Sequence, residues 1–184
     1  MTDAHLRPWR ADDVGALLDA VRDPEVALQL GVTADDPGAV RAVLDARSAL
    51  RGPRSYAFAI ELDGIAVGEL GMSSVEPRHR TARISYWLIP QARGRGLATR
   101  ALASVAAWAF ADLDLYRLAL GHRVNNPVSG AVARRAGFVE EGIERARLEY
   151  DGVRHDVRTH ARLRTDPAPV IELLPIVGTV VRSR

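Results

Sequence analysis

The chain has 184 residues, 47% of them hydrophobic and 26% charged, with a formal net charge of +2. That suits one globular domain with a real core, excludes a disordered chain, and gives nucleic-acid binding little support. There is no cysteine, and all 25 basic residues are arginine, so disulfides, thiolate metal sites, Schiff-base chemistry and a phosphate loop of the G-K-[ST] kind are excluded.

The opening residues carry no apolar stretch of signal-peptide type, and no run nears the roughly 20 apolar residues of a membrane span. A cytoplasmic protein is expected. Residues 5–9 fit a short strand. Asp12 reads as the N-cap of an amphipathic helix carrying Val14, Leu17, Leu18 and Val21, which ends near Pro24. Residues 24–33 read as a helical turn and a loop. A second helix starts at Asp36-Pro37 and carries Val40, Val43, Leu44 and Leu50. The period then changes. Residues 55–62 and 65–73 form two strands around an Asp63-Gly64 turn, with Gly68 and Gly71 marking a bulge or a close backbone approach. A charged loop over 76–80 leads to a strand over 81–89, stopped by Pro90. An Ala-rich helix over 97–111, a strand over 116–122 and a helix over 128–136 closed by Gly137 follow. Residues 138–150 and 153–163 read as a long hairpin, bent at Gly142 and turning at Asp151-Gly152.

The order β-α-α-β-β-β-α-β-α-β-β predicts an α/β domain with a mixed sheet over residues 1–164, its one crossover joining a parallel pair. The tail, 165–184, sets Pro167, Pro169 and Pro175 among apolar residues. It is expected to dock as an extended segment on its own domain or on a second copy, as a homodimer.

The most informative stretch is Gln91-Ala92-Arg93-Gly94-Arg95-Gly96-Leu97-Ala98-Thr99, a strand-to-helix turn. Gly94 and Gly96 permit positive φ and leave no side chain in the way. Successive N–H groups at a helix N-terminus, with Arg93, Arg95 and Arg100 nearby, make a cradle for a pyrophosphate. The same G-x-G also serves as a plain tight turn. It is not a dinucleotide fingerprint, because position 99 is threonine.

Gln91 to Gly96 match the Q/R-x-x-G-x-G/A acyl-CoA signature of the GNAT N-acetyltransferases. Asn126-Pro127-Val128-Ser129, then Gly137-Phe138 and Glu141-Gly142, resemble the N-x-x-S…G-F…E-G block of the branch that acetylates N-terminal amines of ribosomal proteins. The opening Leu6-Arg7-Pro8-Trp9 is similar too, so the resemblance runs from Leu6 to Leu163. It implies a GNAT-like acyl-CoA transferase fold with splayed central parallel strands, acetyl-CoA as co-substrate, an amine as partner, and no metal. Trp87, Leu88 and Ile89 would pair with the pantetheine, and Arg93, Gly94, Arg95, Gly96, Leu97, Ala98 and Thr99 would hold the pyrophosphate. Asn126 would bond the pantetheine, and Ser129 would lie near the sulfur. Arg134-Arg135 either reach the 3′-phosphate, with Arg135 the candidate, or form a solvated helix face.

The base departs from the family pattern. Arg83, with Ser85 nearby, stands where many members carry a glutamate. The N-terminal-amine branch has a glutamate later in the chain; the count from Ser129 lands on Leu148, beside Glu149. Glu149 and Tyr86 are the candidates, with His79, His122 and Tyr150 behind them; His122 reads best as a solvated strand-end residue. The preferred acceptor is a protein or peptide α-amine. The alternatives are a small amine (a polyamine, an antibiotic or an amino-acid derivative), a succinyl-CoA donor, and a non-catalytic acyl-CoA sensor.

Overall fold

A computed structural model describes residues 3–178 apart from 51 and 53; Met1, Thr2 and positions 179–184 of the tail lie outside the described residues. The elements are β1 (Ala4–Pro8), α1 (Val14–Ala20), α2 (Pro24–Leu30), α3 (Pro37–Ala49), β2 (Tyr56–Leu62), β3 (Ile65–Glu76), β4 (Thr81–Leu88), α4 (Leu97–Asp112), β5 (Arg117–Arg123), α5 (Pro127–Arg135), β6 (Val139–Tyr150) and β7 (Val153–Leu163). They build one seven-stranded mixed sheet in the order β1-β2-β3-β4-β5-β7-β6. The α/β class and the crossover through α4 agree with the sequence reading. Among the described residues no helix is long and apolar enough to cross a membrane.

Two apolar layers hold the sheet. On one face Leu70, Met72, Ile84 and Leu88 pack with Ala101, Leu102 and Val105 of α4 and Ala133 of α5. On the other, Ala57, Ala59, Trp9 and Trp87 pack with Leu17, Val26, Val40 and Leu44 of α1–α3. The period-2 alternation of the central strands sends successive side chains to opposite layers. Gly68 shows both effects expected of it. The β2–β3 register shifts beside it, and a Cβ there would lie 2.4 Å from the Trp87 carbonyl oxygen. A bulge also sits at Gly142, where the β6–β7 register shifts.

Two local readings are corrected. Residues 24–33 hold a full helix, α2, capped by the Asp23 carboxylate, which accepts from the amides of Glu25 and Val26, and closed by Gly31 at φ +70°. Seven residues with one buried apolar position, Val26, give too little periodicity to reveal it. Asp12 is not the cap of α1; a 3-10 turn, Ala11–Asp13, precedes that helix, and the Asp13 carboxylate accepts from the Arg10 amide at 2.7 Å.

The tail crosses the α4 face. The Leu174 amide donates to Ser104 Oγ at 2.7 Å, and the Leu6 and Val177 amides bond Pro175 and Leu6 carbonyls at 2.8 Å, extending the β1 edge.

Arg7, 2% exposed, joins β1 to the first turn. Its Nη1 and Nη2 each donate to Asp13 at 2.7 Å, and its Nε to Glu61. Burial alone would raise the Asp13 carboxyl, but Arg7 and the Arg10 amide outweigh it and hold it below its ordinary value. Its share of stability is therefore present above the unfolded carboxylate pKa and lost as pH falls through the folded one. Arg7→Ala leaves two buried carboxylates short of a partner. Denaturant unfolding should show a loss of about 3–5 kcal/mol, against nearly none for the exposed Arg41→Ala.

Candidate active site

β4 and β5 pair at only three positions, Thr81–Arg117, Ala82–Leu118 and Arg83–Ala119. Beyond these they part. A cleft of about 470 Å³ opens there, floored by the end of β4, the 93–99 turn and α5, and walled by α2.

At the turn, Gly94 (φ +78°) and Gly96 (φ +74°) take the left-handed conformation, and a Cβ at either would meet nothing within 4 Å. Gly96 caps the 16-residue α4 with no side-chain hydrogen bond, so the first-turn amides are left for a ligand. Gly94, Gly96, Leu97, Ala98 and Thr99 line the cleft. Arg93 also lines it but is tied down: its Nε donates to the Leu88 carbonyl at 3.0 Å and its Nη2 to Asp23 at 2.7 Å. Arg95 is exposed and outside the lining.

Two sequence candidates meet directly. The Tyr86 hydroxyl lies 2.7 Å from Ser129 Oγ and 3.1 Å from the Ser129 carbonyl oxygen, joining β4 to the first turn of α5. Asn126 caps that helix, its Oδ1 accepting from the Ser129 amide at 3.0 Å. Burial pushes the Tyr86 phenol up to about 12, against the opposing hydrogen bond to Ser129. At neutral pH Tyr86 is thus a neutral hydroxyl that can donate but cannot act as a base.

Trp87, Leu88 and Arg135 also line the cleft, whereas Ile89 turns away and borders a separate hollow beside Pro90. Arg135 and Arg134 face a second cleft, which shares Gly96 and Thr99 with the first and is closed by Pro169 and Val170 of the tail. Glu149 is not brought to the site. It is exposed at the far end of β6, opposite Arg154, with Oε2 2.7 Å from Arg154 Nη2. Two register shifts along β6 defeat a count made from Ser129. His122 is buried, not solvated; it packs on His160 with ring centroids 5.2 Å apart, its Nδ1 2.9 Å from the Arg123 carbonyl oxygen. Tyr150 lies beneath the Arg123 guanidinium, and His79 is exposed.

Sequence reasoning missed the wall made by α2. Gln29 Nε2 donates to the Tyr86 carbonyl at 3.2 Å, and Glu25 lies 3.1 Å from Arg123 of β5. The Asp23-Pro24 pair, a cap followed by an N1 proline, was the available signal. Among the described residues no group of three or more His, Asp or Glu is placed to hold a metal ion.

Residues 4–139 match the acetyltransferase (GNAT) domain. The chain belongs to the GNAT acetyltransferase family. It is 31% identical over 134 residues to the ribosomal-protein-serine acetyltransferase of Escherichia coli strain K12, covering 69% of this chain and 75% of that one. It is 34% identical over 104 residues to the putative ribosomal N-acetyltransferase YdaF of Bacillus subtilis strain 168, where the match spans 56% of this chain and 57% of the relative. Its fold superposes on RimL, a ribosomal alpha-N-protein acetyltransferase solved in complex with coenzyme A, with a TM-score of 0.77 and 28% identity over 88% of this chain and 94% of that one. The GNAT resemblance and its ribosomal branch therefore hold.

The electrostatics of the site generate one expectation. In an ultraviolet titration of this GNAT protein, Tyr86 should ionise near pH 12, and Tyr86→Phe should remove that component. A phenol titrating near 10 in its place would mean a solvated hydroxyl.

Proposed function

We propose that this GNAT member is an acetyl-CoA-dependent N-acetyltransferase of protein or peptide N-terminal α-amines, working in the cytoplasm. The observation that carries the reading is the Tyr86–Ser129 hydroxyl pair set where β4 and β5 part, lining the same cleft as the open Gly94–Gly96 turn. The pyrophosphate fits the uncapped amides of α4, and the pantetheine fits the β4 edge at Trp87 and Leu88. The amine attacks the thioester carbonyl, the C–N bond forms and the C–S bond breaks. Ser129 passes a proton to the departing sulfur, and Tyr86 holds the Ser129 hydroxyl in place. A thiol pKa of about 8.5 means that this leaving group needs only modest acid help.

The acceptor class follows from the cost of a neutral amine. An α-amine with a pKa of about 7.7–8.0 is roughly a tenth neutral at pH 7, whereas a lysine amine near 10.4 must lose about 4.6 kcal/mol to shed its proton. Among the described residues no carboxylate lines the cleft in direct reach of Tyr86 and Ser129, so a base can act there only at a distance; Glu25, at the wall, is engaged by Arg123. A site built this way favours the amine that is cheaper to deprotonate. The relatedness to ribosomal-protein acetyltransferases points the same way.

Thiol release from acetyl-CoA should appear with peptides bearing a free N-terminal serine or alanine, and not with Nα-blocked lysine peptides or polyamines. Ser129→Ala should lower kcat by about a hundredfold with little change in the KM for acetyl-CoA. Turnover of blocked lysine peptides alone would refute the acceptor class. Thermal stabilisation by acetyl-CoA with no turnover would indicate a sensor.

The second cleft suits the 3′-phosphate end of the donor, with Arg135 as its cation. Acetyl-dephospho-CoA should therefore show a KM about tenfold above that of acetyl-CoA, from the loss of one charge-assisted contact. Arg135→Ala should erase that difference, and a difference that survives the substitution would remove Arg135 from the site.

A further inference from the structure

Alternation along β4 puts Tyr86 on the face covered by α4 and α5, and Arg83, Ser85 and Trp87 on the face of α1–α3. Ser85 is exposed and stands two residues past Arg83–Ala119, the last pair before β4 and β5 part. Its hydroxyl therefore borders the gap from the side opposite Tyr86 and Ser129.

One strand away lies a carboxylate to which the sequence drew no attention. Glu69 of β3 pairs in register with Trp87 and is 2% exposed. Its Oε2 accepts from Trp9 Nε1 at 2.9 Å and lies 3.4 Å from Nε of Arg47 on α3. Arg47 is the charged side chain facing it; Ala59 of β2, Trp9 and Trp87 enclose it elsewhere. Burial raises the Glu69 carboxyl above its ordinary value, against the pull of Arg47 and Trp9. Among the described residues this buried acid has a bond from an indole and a loose ion pair, and such an acid is costly unless it has a use.

Gly71 connects this acid to the gap. It follows Glu69 on the same face of β3 and pairs in register with Ser85. A Cβ on Gly71 would sit 3.0 Å from Ser85 Oγ and 3.6 Å from Glu69 Oε1. The missing side chain thus leaves, between two oxygens, a place where one water reaches both.

We propose that Glu69 is the proton acceptor of the acetyl transfer, working through a water seated over Gly71 and the Ser85 hydroxyl. This rests on the acetyltransferase reading above, though not on which amine is the acceptor. The substrate ammonium gives one proton to this path, and Glu69 later releases it to solvent. The neutral nitrogen then forms the C–N bond as the C–S bond breaks. Ser129 protonates the departing sulfur and regains its proton from the nitrogen, so the net proton leaves through Glu69. The path supplies the base that β4 lacks with arginine at position 83.

The test uses the full chain and whichever amine of the panel the wild type acetylates fastest. Glu69→Gln keeps an oxygen for Trp9 but cannot take a proton. Its kcat should fall about a hundredfold, the KM for acetyl-CoA should hold, and the acidic limb of the kcat–pH profile should vanish. Gly71→Ala, whose methyl fills the water's place, should lose a similar factor while Glu69 stays ionisable. Melting temperatures show that both variants fold; should Glu69→Gln unfold, Gly71→Ala and Ser85→Ala decide. A Glu69→Gln enzyme within threefold of wild type, or one keeping the acidic limb, overturns the proposal, as does full activity in Gly71→Ala. Polyamine turnover alone would sink the α-amine reading and leave this comparison intact. No turnover with any amine would sink both.

Discussion

The structure depends on two parallel strands that stop pairing. After Arg83–Ala119, β4 and β5 diverge, yet β4 keeps its ladder to β3 as far as Leu88–Gly68. One side of β4 is therefore satisfied and the other exposes backbone amides and carbonyls that need partners. Side chains supply two of them, Gln29 at the Tyr86 carbonyl and Arg93 at the Leu88 carbonyl. An extended amide-bearing ligand can take the rest in the manner of an added strand. The same divergence that is a liability in a sheet is the slot proposed above for the pantetheine arm.

Much of the remaining architecture keeps that slot open at a fixed width. Asp23 caps α2 and also holds Arg93, so one carboxylate ties the helix wall to the phosphate turn. Glu25 reaches Arg123 on the far strand, and Tyr86 reaches Ser129 on α5. These links cross the gap at three places, where backbone hydrogen bonds cannot. Each ion pair has one well-exposed partner, Arg93 in one and Glu25 in the other, so solvent and salt screen both. Gly68 adds a steric condition on the opposite edge, since the Trp87 carbonyl approaches too closely for any side chain there.

The sequence carried the sheet, the crossover and the turn because each has a local signature. Asp63-Gly64 and Asp151-Gly152 announce hairpins, and Gly94-x-Gly96 announces an open turn before an apolar helix. It carried Ser129 and Tyr86 through motif position, although their contact joins residues 43 apart in sequence. α2 was hidden because only Val26 of its seven residues is buried. Glu149 failed for a different reason. Two register shifts in β6 change which residue meets which partner, and a bulge leaves no mark that a count can use. Glu69 was invisible because a glutamate inside an apolar strand looks like a solvent-facing residue until its neighbours Trp9 and Arg47 are placed around it.

The two faces of β4 thus divide the chemistry. On the α4–α5 side a phenol with a pKa of about 12 stays neutral and is bonded to the Ser129 hydroxyl, the proposed proton donor to sulfur. On the α1–α3 side burial raises the Glu69 carboxyl above its ordinary value, against the pull of Arg47 and Trp9. Burial raises both groups, on two sides of one strand, making the phenol a poorer acid and the carboxyl a better base. In the proposed mechanism the thioester carbon lies between them in the gap, where the two proton movements would meet. A single strand can do this only because alternate side chains point to opposite faces, so Tyr86 and Ser85 are neighbours in sequence and stand on opposite sides of the reaction.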